Sequence, residues 1–194
     1  MESKQDEIRI RIATPQDAAD LLDIYTPYVT DTAVTFETHV PTVGEFEERI
    51  RSIQAMYPYL VAECGSEMVG YAYASRYRAR RGYDWDVETS IYLRREHRRL
   101  GAGRKLYTKL EECCRAQGVV NMLACVSYSE EETEHLSHDS IRFHERLGYQ
   151  RVGRLDRIGL KFNRWYDIVW MQKSIADRTE NQAPLLPFTP DMLG

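Results

Sequence analysis

The sequence has no apolar run long enough to cross a bilayer as a helix, which takes about 20 residues. Its first residues, Met1 to Glu7, carry charges where a secretory signal has an apolar segment. Basic excess is absent as well. The formal net charge of −4 provides no field for nucleic acid or an anionic membrane, so neither is expected as a partner. Cysteines are few: Cys64, Cys113, Cys114 and Cys125 do not form a secreted disulfide framework and read as reduced residues of a cytoplasmic protein. Repeats and a second hydrophobic block are missing too. At 194 residues, 43% hydrophobic and 29% charged, the chain suits one globular domain over residues 1–175. A tail, 176–194, carries Pro184, Pro187 and Pro190 and is expected to have little structure of its own.

What is present alternates between strand and helix. Ile8-Arg-Ile-Arg-Ile12 has the two-residue period of a strand. Thr14-Pro-Gln-Asp17 supplies a cap and an N-terminal proline for a helix from Gln16 to Tyr25. Thr42 caps another from Val43 to about Met56, with Phe46, Ile50 and Ile53 on one face. Val34 to Glu37 is a short extended piece. Tyr59–Glu63 and Met68–Ala74, joined by Gly65-Ser-Glu67, make a hairpin. Val87 to Leu93 is β-prone, and Leu100, Leu106 and Leu110 then mark one side of a helix ending near Gln117-Gly118. Met122 to Val126 is the continuous apolar run of a strand covered on both faces. Tyr128 to His138, rich in glutamate, is expected to be a surface loop. Ser140 to Leu147 forms a short helix closed by Gly148. Gln150–Leu155 and Ile168–Lys173 are strands around a loop containing Lys161-Phe-Asn-Arg-Trp-Tyr166. The order β-α-α-β-β-β-α-β-α-β-β predicts an α/β (α+β) fold, a mixed and mostly antiparallel sheet with helices on both faces.

The most chemically informative stretch is Arg98-Arg-Leu-Gly-Ala-Gly-Arg104, between a strand and a helix. Glycines let the backbone approach a ligand closely, and unpaired N–H groups at a helix start make an anion site. Arg98, Arg99, Arg104 and Lys105 add positive charge. A Walker loop would need glycine at position 98 and lysine at 104, where this chain has arginines. A dinucleotide fingerprint would need a third glycine at Leu106. Arg98-x-x-Gly101-x-Gly103 fits neither; it resembles the acetyl-CoA pyrophosphate loop of the GCN5-related N-acetyltransferases (GNAT).

Within that superfamily the chain looks like the phosphinothricin N-acetyltransferases. The matching stretches are Thr32-Ala-Val-Thr-Phe36, Tyr57-Pro-Tyr-Leu-Val-Ala-Glu63, Arg78-Ala-Arg-Arg-Gly-Tyr-Asp-Trp85 and Glu88-Thr-Ser-Ile-Tyr92. His97-Arg-Arg-Leu-Gly-Ala-Gly103, His144-Glu-Arg-Leu-Gly-Tyr149 and Gly159-Leu-Lys-Phe-Asn-Arg-Trp-Tyr-Asp167 follow in the same order. The departure is Ser129 to His138, which replaces a shorter Asn-Asp-Pro segment.

The resemblance implies the GNAT fold over about residues 8–173, acetyl-CoA as cosubstrate, no metal, and a homodimer. It implies Glu88 as the base that frees the attacking amine, with His144 as a second base or positioning group and Tyr149 as the acid for the leaving thiolate. The cofactor would lie against Ile91, Tyr92 and Leu93, against Arg98, Arg99, Leu100, Gly101, Ala102, Gly103, Arg104 and Lys105, and near Ser140. An N–H at a bulge in Ile91–Leu93 would hold the thioester oxygen. Phe36, Arg78, Arg80 and Tyr83 fall at substrate positions, and arginine grips a carboxylate through a two-pronged hydrogen bond. His135 and His138, amid Glu130, Glu131, Glu132 and Glu134, show no metal-ligand pattern. The expected activity is direct acetyl transfer to the amine of a small amino acid or analogue of the phosphinothricin or methionine sulfone kind. An acetyl-enzyme is not expected, since no cysteine falls near the site motifs. A turnover-free acyl-CoA sensor and a protein N-terminal acetyltransferase are the alternatives on the same fold.

Overall fold

In the computed structural model, residues 7–97 and 101–194 are described. The alternating sequence forms strands β1 (Ile8–Ile12), β2 (Tyr59–Cys64), β3 (Glu67–Arg76), β4 (Asp86–Leu93), β5 (Asn121–Tyr128), β6 (Gln150–Lys161) and β7 (Arg164–Ser174). Helices are α1 (Ala18–Asp31), α2 (Val43–Gln54), α3 (Ala102–Gln117) and α4 (Asp139–Arg146). The element order is the expected one. All strands join one sheet in the order β1-β2-β3-β4-β5-β7-β6, in which β4–β5 is the single parallel pair.

Side-chain alternation assigns the two faces. On β3, Ala72 and Ala74 turn to α3 and join Leu106 and Leu110, while Tyr71 turns the other way to Phe46 of α2 and Leu21 of α1. Gly70 has no room for a side chain, because a Cβ would come 2.4 Å from the Leu93 side chain. Helix α2 starts where expected, with Thr42 and Glu45 exchanging side-chain-to-backbone hydrogen bonds.

Four local expectations are corrected. Helix α1 does not stop at Tyr25: it runs through Pro27 to Asp31, held by the buried Tyr28 and Val29. The β6–β7 strands are longer than read, because Phe162 and Asn163 both take positive φ (50° and 55°) and close a two-residue turn. The tail is tied down: Leu185, Phe188 and Leu193 pack on the α3 core, and the Trp85 Nε1–H donates to Ala183 O at 2.6 Å. The acidic loop 129–138 exposes its glutamates yet buries Leu136, 3% exposed, against Ala33 and Tyr166.

Candidate active site

Strand β4 pairs with β3 along its whole length but with β5 only at Asp86–Glu88 opposite Asn121–Leu123. Beyond that point the two strands part, and Thr89 Oγ1–H reaches across to Leu123 O at 3.0 Å. The parting opens a narrow cleft of about 50 Å³, walled by Thr89 to Tyr92, Ala124 to Ser127, Tyr107, Ser140, His144, Val34 and Leu136.

The cleft exposes backbone. The Arg94 N–H bonds to Val69 O across β3, so Leu93, and Ile91 by alternation, turn their polar groups toward the cleft. The Leu93 groups are occupied: Tyr28 Oη donates to Leu93 O at 2.7 Å and accepts from Leu93 N–H at 3.2 Å. Ile91 is left as the backbone donor facing the cleft. The expected bulge is absent, since β3–β4 pairing runs without a register shift. Divergence of β5 frees this N–H instead.

At the start of α3, Gly101 has φ +82°, a conformation glycine adopts without strain. Gly103 is buried where a Cβ would meet Leu93 at 3.1 Å and Phe143 at 3.2 Å. The first helical N–H groups, at Ala102, Gly103 and Arg104, have no intrahelical partner. The Lys105 N–H is bonded to Gly101 O, and its Nζ reaches Ile8 O at 3.2 Å. Arg98, Arg99 and Leu100 lie outside the described residues.

Glu88, with Ser90 and Tyr92, faces the α1/α2 side of the sheet, as do Cys125 and Ser127 of β5. Burial pushes the Glu88 carboxyl above its ordinary value, opposed by the positive Arg78. The Arg78 guanidinium lies 4.6 Å from the centroid of Tyr77 and 5.8 Å from that of Trp170. Tyr83 closes edge-on against Tyr77 at 5.7 Å, with Arg80 exposed on the same loop. At the other end, Phe36 is pinned against Gly159, where a Cβ would meet its ring at 2.3 Å, and Ser127 Oγ–H donates to Val34 O. Glu88, Arg78 and Phe36 therefore share one face, between the Arg78 loop and the 33–36 segment.

His144, Tyr149 and Ser140 belong to the opposite, α3 side. His144 Nδ1–H donates to Ser140 O at 2.7 Å, leaving Nε2 for the Tyr107 hydroxyl at 2.9 Å. Burial lowers the imidazole to about 4, so it is neutral at pH 7. Tyr107 also reaches Thr89 Oγ1 at 3.3 Å. Tyr149 is buried behind this chain, its hydroxyl held far above its usual range and lacking a well-formed hydrogen bond, and it does not line the cleft.

Sequence reasoning missed Tyr28, Tyr107, Leu136 and Cys125. Nothing in the sequence singled out Tyr28 or Tyr107, and Leu136 lay in a stretch expected to be a surface loop. Cys125 corrects the expectation that no cysteine falls near the site: it lines the cleft within the fields of Glu88 and Arg78. The residue is exposed at the surface, yet partial desolvation and the Glu88 charge raise its thiol to about 12, which leaves it protonated and a poor nucleophile. His135 and His138 are committed to Asp31 O and Ser129 O and stack on Phe162 and Tyr128. Among the described residues, no group of three His, Cys, Asp or Glu is placed to hold a metal.

Comparison with known proteins gives four findings of one kind. Residues 10–170 match the family described as "Acetyltransferase (GNAT) domain". The phosphinothricin N-acetyltransferase of Streptomyces viridochromogenes is 35% identical over 98% of both chains. The L-methionine sulfoximine/L-methionine sulfone acetyltransferase of Pseudomonas aeruginosa is 35% identical over 86% of this chain and 94% of its own. Among solved structures, a phosphinothricin acetyltransferase from Sinorhizobium meliloti in complex with acetyl-CoA superposes with a TM-score of 0.79. It is 32% identical, over 91% of this chain and 96% of that one.

Proposed function

The chain belongs to the GNAT acetyltransferase family and is an acetyltransferase, and on that premise we propose that it acetylates the α-amine of a small amino acid or amino-acid analogue by direct transfer from acetyl-CoA. The observation that carries this reading is the juxtaposition of Glu88 and Arg78 on one face, beside a cleft where the backbone of β4 is free. Arg78 takes the acceptor's carboxylate, as guanidinium does in two-pronged fashion. Glu88, its basicity raised by burial, removes a proton from the ammonium, directly or through water. The freed nitrogen attacks the thioester carbon, the Ile91 N–H stabilises the oxygen that gains charge, and the C–S bond breaks. The departing sulfur takes a proton from the α3 side. Tyr107 lines the cleft beside Thr89 and His144, so we assign this step to Tyr107 ahead of Tyr149: its hydroxyl proton turns from His144 Nε2 to the sulfur, and the phenolate left behind takes a proton from solvent before the next turnover. His144 then serves as a positioning group.

The N–H groups of Ala102 to Arg104 suit the pyrophosphate of the cosubstrate, with Arg98 and Arg99 as expected contributors of charge. The working unit we infer is a homodimer. Edge strand β6 exposes Val152, Leu155, Ile158 and Leu160 at 44–54%, a combination of open backbone and apolar surface that a second copy would cover. Its four free cysteines support a reducing compartment, the cytoplasm. The test is free-thiol release from acetyl-CoA with a panel of amino acids that includes phosphinothricin and methionine sulfone. Amine-dependent release, without a burst of acetylated protein when amine is omitted, is expected. A stoichiometric burst would replace direct transfer by an acetyl-enzyme.

A further inference from the structure

Between the sheet and helices α1 and α2 lies a basin of about 560 Å³, walled by Tyr25, Phe46, Tyr59, Tyr71, Tyr73 and Tyr92. It adjoins the site just described. Tyr92 lines both the basin and the β4–β5 cleft, and Tyr73 is hydrogen-bonded to Ser90 and feels the charge of Glu88. Glu88 stands two residues before Ser90, about 7 Å along the strand. That is the reach of a benzyl or indolylmethyl group from an α-carbon. For scale, an apolar cavity of about 150 Å³ holds benzene.

The walls favour a ring. Tyr25 meets Tyr92 edge-on at 4.8 Å and Tyr59 stacks on Tyr73 at 4.8 Å; with Tyr25, Phe46, Tyr59 and Tyr71 buried, the half-buried Tyr73 and Tyr92 are the rings left open to a guest. The charges at the mouth disfavour an anion. Glu37, Glu45 and Glu48 line it against Arg49, which is already committed to Glu37 through two hydrogen bonds of 2.8 and 3.3 Å. A phosphinate or carboxylate side chain would meet this excess of carboxylates and find the one arginine lining the mouth already paired.

We propose that this basin receives the acceptor's side chain and that the preferred acceptor is an α-amino acid with a neutral aromatic side chain. The inference rests on the acetyl-transfer reading: carboxylate at Arg78, amine at Glu88, ring between Tyr73 and Tyr92. The experiment compares kcat/KM for L-tryptophan, L-phenylalanine, L-methionine sulfone, phosphinothricin and L-lysine by thiol release. The aromatic amino acids are expected to lead by at least tenfold. Methionine sulfone, phosphinothricin or lysine equal to or above them overturns the inference while leaving acetyl transfer intact. Thiol release that no amine stimulates overturns both. Ser52→Phe, at an exposed wall position, is expected to raise the KM for L-tryptophan at least tenfold more than that for L-alanine. Equal changes for the two overturn the assignment of the basin.

Discussion

Acidification should unlock the α3 side of the site through one residue. His144 is 3% exposed, donates to Ser140 O and accepts from the Tyr107 hydroxyl, an arrangement that requires a neutral ring. Its pKa falls from 6.5 to about 4 on folding, chiefly through burial. The unfolded chain therefore takes up a proton near its ordinary value while the folded chain resists until about 4. Within that window the unfolded state binds more protons, so stability drops as pH falls, by about 3 kcal/mol at 1.36 kcal/mol for each tenfold. Above pH 6.5 the contribution is fully present; below 4 no more is lost. Urea unfolding of the native protein and of His144→Gln, which cannot titrate, isolates this contribution. The stability gap between the two should narrow by about 3 kcal/mol from pH 7 to pH 4. Parallel curves for the two proteins would refute the reasoning.

Three further substitutions probe the cleft and its anchor. Gly101→Ala places a side chain at φ +82° with open space around it, so strain alone should cost about 1–2 kcal/mol, read by thermal unfolding, together with a higher KM for acetyl-CoA. Tyr107→Phe is expected to lower kcat at least tenfold, while Tyr149→Phe changes it by about twofold or less. The reverse ranking in steady-state kinetics would return the proton donor to Tyr149.

Periodicity made most of the architecture legible. The element order, the Thr42 cap and the glycine turn into α3 all rest on local chemistry that the residues carry themselves. What escaped depended on tertiary packing. The expected end of the first helix was Tyr25, yet burial of Tyr28 and Val29 carries α1 past Pro27 to Asp31. Leu136 sits in a glutamate-rich segment without rhythm, and only its contact with Ala33 and Tyr166 reveals a wall. The Ile91 N–H is free because β5 diverges, a property of two strands that neither sequence displays alone. Tyr71 and Tyr73 fell inside the expected strand Met68–Ala74. Their assembly with Tyr59 and Tyr92 into a basin needed the register.

The most direct test of the account is the pH dependence of Glu88→Gln. In the native protein kcat/KM should rise through an apparent pKa above the ordinary carboxylate range, as burial of Glu88 dictates. The variant should lose that limb and fall by roughly 10²–10⁴-fold at pH 7. It should recover partly above pH 8, where the amine sheds its own proton, with acetyl-CoA binding unchanged. A variant that retains the native pH profile would contradict the assignment of Glu88 as the base.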